Sequence, residues 1–411
     1  MSFLSTLFQD SPEYEQRKRT PFVPPKVTLS EIHAAVPKHL HAKNTVKGLS
    51  FIVRDGTLAI VLYKMAWHIP DASSFIAQRL HDTGLVRILV STVLWSLYVY
   101  WQGIFLTSLW CLAHEASHGN ISSRRWINDA IGFLLHTFLF VPYFPWKTSH
   151  SAHHKATVSM ERDVNYVPPT RSSFKLPPEP EARSRDYHEI FEETPIYTLY
   201  RMFLMQTLGL MAYLAFNERG SPRHAPGTSH FDPNSALFKP HERKGVIASD
   251  AGLIAMLIVL SWWTSNVGFG QFVGLYLVPW MITNHWIVML TYLHHSDPTI
   301  PYYRGDEWSF LRGALATVDR PLLGWIGRVF FHNVSHNHIS HHIFSDIPFY
   351  NQPEATACIQ KVLKDDYNFD STNTFRALYR NFVECEFVED EGDIVFYKNR
   401  EGKTARRVAV M

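Results

Sequence analysis

The stretch AGLIAMLIVLSWWTSNVGFGQFVGLYLVPWMITNHWIVMLTYLHHS, residues 251–296, contains no aspartate, glutamate, lysine or arginine. A membrane-spanning helix needs about 20 apolar residues in succession, so this stretch is too long for a single crossing. The polar, glycine-bearing segment at 265–270 offers a turn in its middle. The stretch therefore predicts two antiparallel membrane helices, near residues 250–266 and 271–293.

A second uncharged stretch, residues 88–113, predicts a further crossing. As a helix it would be roughly 39 Å long at 1.5 Å per residue, which exceeds the hydrocarbon core of a bilayer. Residues 56–69 form a weaker apolar stretch because Lys64 interrupts it, although a lysine side chain can reach the interface. Pairing this stretch with the next one predicts a helical hairpin and a first crossing near residues 51–70. The expected fold class is an all-α integral membrane protein with four transmembrane helices.

Composition excludes several classes of protein. The chain has 411 residues, of which 46% are hydrophobic and 14% aromatic. Its mean hydropathy of -0.11 is nonetheless close to neutral, so we expect much of the chain to lie outside the membrane. A net charge of only +2 gives no electrostatic reason to expect a nucleic-acid binder. The three cysteines are scattered without a CxxC spacing, which argues against a disulfide scaffold or a zinc ribbon.

Residues 1–50 are expected to form a cytosolic N-terminal segment. They carry charged residues and a proline-rich step at 21–25 where a signal peptide would have an apolar core. Thr28 and Glu31 have the spacing of a capping box, and they predict a short surface helix that continues towards His39.

Three histidine clusters indicate a metal centre: HEASH at 114–118, HSAHH at 150–154 and HISHH at 338–342. An HxxHH string is expected about 0.07 times by chance in a chain of this composition, and this chain contains two. Histidines three and four residues apart project from one face of a helix. Eight imidazoles exceed the needs of one ion, so we expect a dinuclear site, for which iron, zinc or copper would suit. The candidate ligands are His114, His118, His150, His153, His154, His338, His341 and His342.

The clusters also constrain the topology. Clusters that share one site must lie on one side of the membrane, so an even number of crossings separates the second from the third. Residues 251–296 supply two crossings. Residues 131–143 and 196–216 are therefore expected in or on the membrane interface, and the proline-rich and charged segments 155–195 and 217–250 as a cap and linker.

The clusters and their flanks resemble the membrane-bound fatty-acid desaturase family, in particular its fungal and plant oleate (delta-12) acyl-lipid type. The flanks are VPYFPW at 141–146, YLHHSDP at 292–298 and FSDIPFY at 344–350. The resemblance covers roughly residues 21–397. It implies four transmembrane helices below a cytosolic helical cap, a desaturase domain at 51–397, a C-terminal tail at 398–411, and nine histidines that hold two irons. His295 is the implied ninth ligand, in preference to His294, with no catalytic residue separate from the metal ligands.

The resemblance also implies the chemistry. Removing hydrogen from an unactivated methylene needs a redox metal, which zinc cannot be. The implied reaction uses O2 and two irons (Fe2+/Fe3+) to convert an oleoyl chain on phosphatidylcholine to linoleoyl. No HPGG haem motif occurs in the chain, so we expect a separate electron donor, cytochrome b5 with its NADH reductase. The basic residues Lys147, Lys155, Arg162 and Arg171 are candidates for meeting an acidic donor. The implied location is the endoplasmic reticulum, with the metal site facing the cytosol.

Two alternatives remain open. The same di-iron site could act as an acetylenase, an omega-3 desaturase, a hydroxylase or a conjugase. A membrane metal transporter or store would instead place histidines or carboxylates in mid-membrane, whereas these clusters lie beyond the apolar stretches.

Other polar residues receive secondary interpretations. Glu115, Asp129, Asp163 and Asp346 are candidates for orienting the imidazoles. We interpret His136 as a core residue, His332 and His336 as supporting or surface residues rather than ligands, and His285 as a candidate for lining an acyl tunnel.

Overall fold

Helices dominate the computed structural model, which describes residues 8–80 and 84–409. The outermost parts of the expected N-terminal segment (1–7) and tail (410–411) lie outside the described residues. The long helices are α3 (Thr45–Ala66), α5 (Gly84–Ser117), α9 (Pro195–Phe216), α10 (Arg243–Val267) and α11 (Phe269–His295), the last of which contains a π-helical segment at Val273–Leu277.

Shorter α-helices, four 3-10 turns (Lys38–His41, Ser172–Phe174, Gly305–Glu307 and Lys364–Asp366) and one small sheet make up the other regular structure in the described part of the chain. The helices are α1 (Pro12–Arg19), α2 (Leu29–Ala35), α4 (Ile69–Arg79), α6 (Arg125–Phe138), α7 (Tyr143–His154), α8 (Ser184–Phe191), α12 (Phe310–Leu315), α13 (Trp325–Phe330), α14 (His338–Ile343), α15 (Gln352–Leu363) and α16 (Thr374–Glu384). Strands β1 (Tyr302–Tyr303) and β2 (Ile394–Val395) pair antiparallel, with Tyr302 opposite Val395.

The predicted fold class, a helical integral membrane protein, is confirmed. Among the described residues, α5, α9, α10 and α11 are long and apolar enough to cross a membrane. The sequence had favoured the segment of α3 over that of α9 as the fourth crossing, and the contacts at the ends of these two helices bear on that choice.

Helix α3 extends through the depth of the helical bundle. Asn44 caps its first turn, where Oδ1 accepts a hydrogen bond from the Lys47 backbone N–H at 3.0 Å. Close by, Thr45 Oγ1 lies 2.8 Å from Ser122 Oγ, just beyond the first histidine cluster. At the opposite end, the ring of Tyr63 lies 6.3 Å from that of Trp263, near the end of α10. The two ends of α3 therefore lie at opposite ends of the bundle.

Helix α9 behaves differently, because both of its ends contact residues on the histidine-bearing side. Near its start, the Arg201 guanidinium lies 5.2 Å from the centre of the Phe382 ring in α16. Near its end, the Tyr213 hydroxyl donates to Asn165 Oδ1 at 3.0 Å, shortly after the second histidine cluster. These contacts support the expectation that α9 lies along the interface.

The close approach of α5 and α11 positions the site. A Cβ atom at Gly103 would lie 2.4 Å from Cγ2 of Ile282, so only glycine fits there without a shift. The Thr283 hydroxyl also contacts the Gly103 carbonyl at 3.3 Å. The turn predicted between α10 and α11 is present, and Gly268 adopts a positive φ of 88° in it. His114 lies in the last turn of α5, and α11 ends at His295.

A cap of short helices and loops covers those ends. The predicted capping box is confirmed at the start of α2, where Thr28 and Glu31 bond reciprocally. Ile32 of α2 packs in one apolar cluster with Ile339 and Ile343 of α14. Residues 398–409, expected as a tail, also join the cap, since the Phe22 backbone bonds to residues 407 and 409 at 2.8 Å each.

Candidate metal centre

Each histidine cluster lies at or next to a helix end, and the ends converge. His114 lies in the last turn of α5, and His118 follows it directly. The second cluster ends α7, the third forms most of the short helix α14, and His295 is the last residue of α11. Because the helix ends meet below the cap, the structure brings all nine candidate ligands into one region.

The imidazoles form two groups, each of which could hold a metal ion. In each group the ligand nitrogens lie within 4.8 Å of one another. The first group contains His114, His118, His150, His154 and His341, and the second contains His153, His295 and His342.

His338 extends the second group. Its Nε2 lies 3.0 Å from Nε2 of His295 and 3.1 Å from Nε2 of His342. The groups adjoin, since His153 and His154 are consecutive residues that belong to different groups. Ligands from the three clusters and from the end of α11 therefore form two neighbouring groups of nitrogen atoms, as the ligand count predicted.

Burial favours the neutral imidazole that metal ligation requires. Burial and the neighbouring histidines lower the pKa of His338 and His342 well below the ordinary histidine value. Burial also lowers the pKa of His341 to about 3. His118 and His295 are only partly buried, so the centre has a route to the surface.

Two carboxylates orient histidines of the three clusters, here called the box histidines, through their Nδ1 atoms. Glu115 Oε1 lies 3.1 Å from Nδ1 of His114 and 3.8 Å from Nδ1 of His341. Asp163 Oδ2 lies 3.0 Å from Nδ1 of His153. Such contacts leave the Nε2 atoms free to face a metal, and Nε2 of His341 has no hydrogen-bond partner among the described residues.

The two other candidate carboxylates bond elsewhere. Asp129 pairs with Lys147 at 2.5 Å, and Asp346 pairs with Nδ1 of His41 at 2.8 Å. Neither touches a box histidine among the described residues.

Two orienting contacts were not anticipated from the sequence. The Thr157 hydroxyl lies 3.2 Å from Nδ1 of His342, and the Val334 carbonyl lies 3.3 Å from Nδ1 of His338. Thr157 follows the second cluster by three residues, which is the only signal that could have pointed to it. A backbone carbonyl leaves no mark in a sequence.

The loop that returns Asp163 to His153 is strained. Val158 has a φ of 53°, a left-handed conformation that a β-branched residue rarely adopts. Its backbone N–H donates to Asp163 Oδ2 at 3.2 Å. The same carboxylate therefore holds both the strained turn and the imidazole, as is typical of strain at functional sites.

The remaining histidines occupy other surroundings. His136 is buried against Trp110 and Trp146, as expected of a core residue. His294 turns its Nδ1 to the Val318 carbonyl at 2.6 Å, whereas its neighbour in sequence joins the second group. His285 stacks on Phe375.

His332 and His336, interpreted as supporting or surface residues, also contact no box histidine among the described residues. His336 is buried, and its Nδ1 lies 3.1 Å from Ser335 Oγ. His332 is buried beside Asp55 and Ser108. Sequence reasoning passed over Asp55, although a carboxylate within an apolar stretch is itself a signal.

Comparisons with known proteins agree with this geometry. A family model described as fatty acid desaturase matches residues 92–372, and one for a domain of unknown function matches residues 7–66. The chain is 38% identical to a Delta(12) fatty acid desaturase from Mortierella alpina, over 91% of each chain. It is 35% identical to an oleate hydroxylase from Claviceps purpurea, over 92% of this chain and 82% of that protein.

A third relative is a bifunctional fatty acid conjugase/Delta(12)-oleate desaturase from Punica granatum, 37% identical over 92% of this chain and 89% of that protein. The family model alone covers more than half of the 411 residues, including all three histidine clusters. The chain therefore belongs to the fatty acid desaturase family.

Proposed function

We propose that this protein introduces the delta-12 cis double bond into an oleoyl chain of a membrane lipid and so forms a linoleoyl chain. The observation that carries the proposal is the convergence of nine histidines into two adjoining groups at or next to helix ends, among them the ends of the apolar helices α5 and α11. The similarity to the Mortierella alpina Delta(12) desaturase over 91% of each chain supports the regiochemistry.

The proposed cofactor is a pair of iron ions held by His114, His118, His150, His153, His154, His295, His338, His341 and His342. Converging neutral imidazoles suit iron, and when bound the irons supply the redox chemistry with O2 that no side chain can provide. Over one turnover, two hydrogens leave adjacent methylenes, and O2, together with two electrons from the donor and two protons from solvent, becomes two waters.

The protein's own residues orient and enclose this chemistry. Glu115 and Asp163 fix the tilt of their imidazoles through Nδ1. The Trp110 ring stacks on His114, and the Trp146 ring stacks on His150 at 4.4 Å. These buried indoles form an apolar wall beside the ligands, which excludes water and suits the acyl chain of a lipid.

The proposed crossings are α3, α5, α10 and α11, with α9 and the bent pair α6 and α7 at the interface. Support comes from the ends of the helices, because both ends of α9 contact the histidine-bearing side and the two ends of α3 lie at opposite ends of the bundle. The clusters then face the cytosol at the endoplasmic reticulum.

The proposed electron donor is cytochrome b5, reduced by its NADH reductase. Of the basic residues considered for docking, Lys155 and Arg162 are exposed. Lys147 pairs with Asp129, Arg162 lies over the Trp308 ring, and Arg171 is buried against Glu389. Lys155, which directly follows the second cluster, is therefore the strongest candidate of the four for an acidic donor.

The test is a fatty-acid profile of yeast that expresses the chain. We expect linoleate to appear, and we expect His341→Ala to abolish it while the protein still inserts into membranes. Product in the His341→Ala strain at the wild-type level would refute the ligand assignment.

The relatives named as a hydroxylase and a conjugase favour one second candidate, a different outcome at the same centre. Hydroxy acids or conjugated dienes without linoleate would support that candidate and exclude delta-12 desaturation. Zinc alone in the purified protein, with no oxygen-dependent turnover, would instead favour a metal store.

A further inference from the structure

A second buried polar cluster lies beside the metal centre and joins three separate parts of the chain. Asp55 comes from α3, Ser108 from α5 and His332 from the loop after α13. Asp55 Oδ2 lies 2.9 Å from Nε2 of His332 and accepts a hydrogen bond from Ser108 Oγ at 2.5 Å. Nε2 of His332 also lies 3.0 Å from Ser108 Oγ. All three side chains are at most 2% exposed.

The carboxylate of Asp55 is fully partnered. Its other oxygen, Oδ1, accepts a hydrogen bond from Nε of Arg54 at 2.6 Å. Arg54 in turn donates from Nη2 to the Val329 carbonyl of α13 at 3.0 Å. A buried carboxylate is tolerated only with such partners, and here every partner links α3 to α5 or to the chain that precedes the third histidine cluster.

The backbone at His332 is strained in a way that the cluster can hold. His332 and Asn333 have φ values of 50° and 63°, two consecutive left-handed residues of which neither is glycine. Such conformations persist when surrounding contacts over-determine them. The His332 ring is fixed by Asp55 and Ser108 and packs edge-on against Phe349, with ring centres 4.8 Å apart.

This turn leads directly into the third cluster. His338 follows His332 by six residues, and the Val334 carbonyl between them contacts Nδ1 of His338 at 3.3 Å. Among the described residues no hydrogen bond or ring contact joins His332 to a box histidine, so it acts only through the chain that it anchors.

We propose that Asp55, Ser108 and His332 are positioning residues that set the place of the third histidine cluster relative to α3 and α5. Through the left-handed turn they fix α14, and therefore the directions from which His338, His341 and His342 reach the metals. The inference rests on the proposed metal-binding function.

The test is titration of the metal-free, detergent-solubilised full chain with Co²⁺ alone, whose visible absorption reports both affinity and ligand geometry. The variants are Asp55→Asn, His332→Gln, their double variant and the milder Ser108→Ala, which removes one hydrogen bond. The matched controls are Glu189→Gln and His241→Gln, both at exposed positions. Thermal unfolding of the metal-free proteins is measured in parallel.

We expect the three single variants to bind Co²⁺ roughly 2- to 30-fold more weakly than wild type and to shift its absorption bands, while the controls do neither. The double variant should be no weaker than the more affected single variant, because the two side chains act as one unit.

Variants that lose thermal stability but keep wild-type affinity and absorption bands would overturn the inference, since that pattern belongs to a purely structural cluster. If Asp55→Asn fails to fold, Ser108→Ala decides the question by the same criteria. Failure of the wild-type chain to bind Co²⁺ would count instead against the proposed metal centre, so the two proposals fail separately.

Discussion

Glu115 connects two of the three histidine clusters through one carboxylate. It reaches Nδ1 of His114 and of His341, and its second oxygen accepts a hydrogen bond from Asn120 at 2.9 Å. The 3.1 Å contact orients His114, whereas the 3.8 Å distance to His341 is too long for a hydrogen bond. Asp163 contacts His153 alone among the box histidines, so it allows a cleaner test of what an orienting carboxylate contributes.

Asp163→Asn should weaken metal binding about 10- to 100-fold, because the amide is a poorer acceptor for the His153 Nδ1–H. It therefore no longer raises the basicity of the His153 imidazole. Metal content per purified chain and linoleate yield measure the effect. Asp129→Asn is the matched control, since that carboxylate pairs with Lys147 and Arg125. Equal metal content in the two variants would mean that Asp163 does not orient a ligand.

Spacing predicted which imidazoles share a helix face, and the fold places all nine candidates together. Spacing could not predict how the clusters divide into two groups, because His153 and His154 are neighbours that point to different groups. It also could not reveal the Thr157 hydroxyl or the Val334 carbonyl as orienting partners. Those roles exist only once the loops have folded.

Helices α3 and α9 show why apolarity alone does not decide a membrane crossing. Helix α9 is apolar enough to span, whereas α3 carries charged residues, among them Asp55 and Lys64. The contacts at their ends nevertheless favour α3 as the crossing and α9 as a helix that lies along the interface. The parity argument makes the same prediction from the sequence, since three crossings between the second and third clusters would separate them.

Labelling of sealed microsomes tests the placement of α9. In a chain whose three native cysteines are replaced by alanine, Glu218→Cys should react with an impermeant thiol reagent added outside. Ser265→Cys, in the last turn of α10, should react only after permeabilisation. Protection of Glu218→Cys in sealed microsomes would show that α9 crosses the membrane.

The contact between α5 and α11 depends on a missing side chain. Gly103→Ala should destabilise the protein by about 1–3 kcal/mol, because the new methyl group overlaps Ile282 and forces the helices apart. Thermal unfolding in detergent measures the loss. Gly56→Ala is the matched control, since no atom lies within 4 Å of a Cβ at that position. An equal response of the two variants would show that the approach of these helices is not tight.

The cap is held to the bundle by buried charges from distant parts of the chain. Asp297, just after α11, and Asp370 both pair with Arg320, and Arg380 of α16 bonds to Asp370 at 2.8 Å. Ser11, at the start of α1, donates to Asp370 at 2.8 Å. Burial raises the pKa of Asp370, but the charges of these arginines outweigh that effect and hold the pKa well below its usual range. These contacts connect the N-terminal helix α1 to the C-terminal end of α11, next to His295.

Asp370→Asn should cost about 3–5 kcal/mol of stability, because Arg320 and Arg380 would lose the counter-ion that they share and the buried network would carry an uncompensated positive charge. Asp366→Asn, at an exposed position, is the control and should change little. Chemical unfolding followed by tryptophan fluorescence measures both. A change below about 1 kcal/mol for Asp370→Asn would mean that water reaches the network and screens it.

At the scale of the molecule, the sequence predicted a helical membrane protein with its metal centre at one end, because long apolar stretches and histidine spacing are local patterns. The closure of the cap was beyond such patterns. The hydrogen bond from the Ser11 backbone to Thr372 joins residues 361 positions apart, and no periodicity records that pairing. The described part of the expected tail at 398–411 likewise contacts the cap, through the pairing of Phe22 with residues 407 and 409.

The pairing of Phe22 with residues 407 and 409 has a consequence for biosynthesis. All nine histidines emerge from the ribosome before this pairing can form. Helices α3, α5, α10 and α11 are by then available to the insertion machinery. The cap over the histidines can close only after residue 409 has been made. The proposed metal ions can therefore reach the nine histidines before this pairing completes the cap.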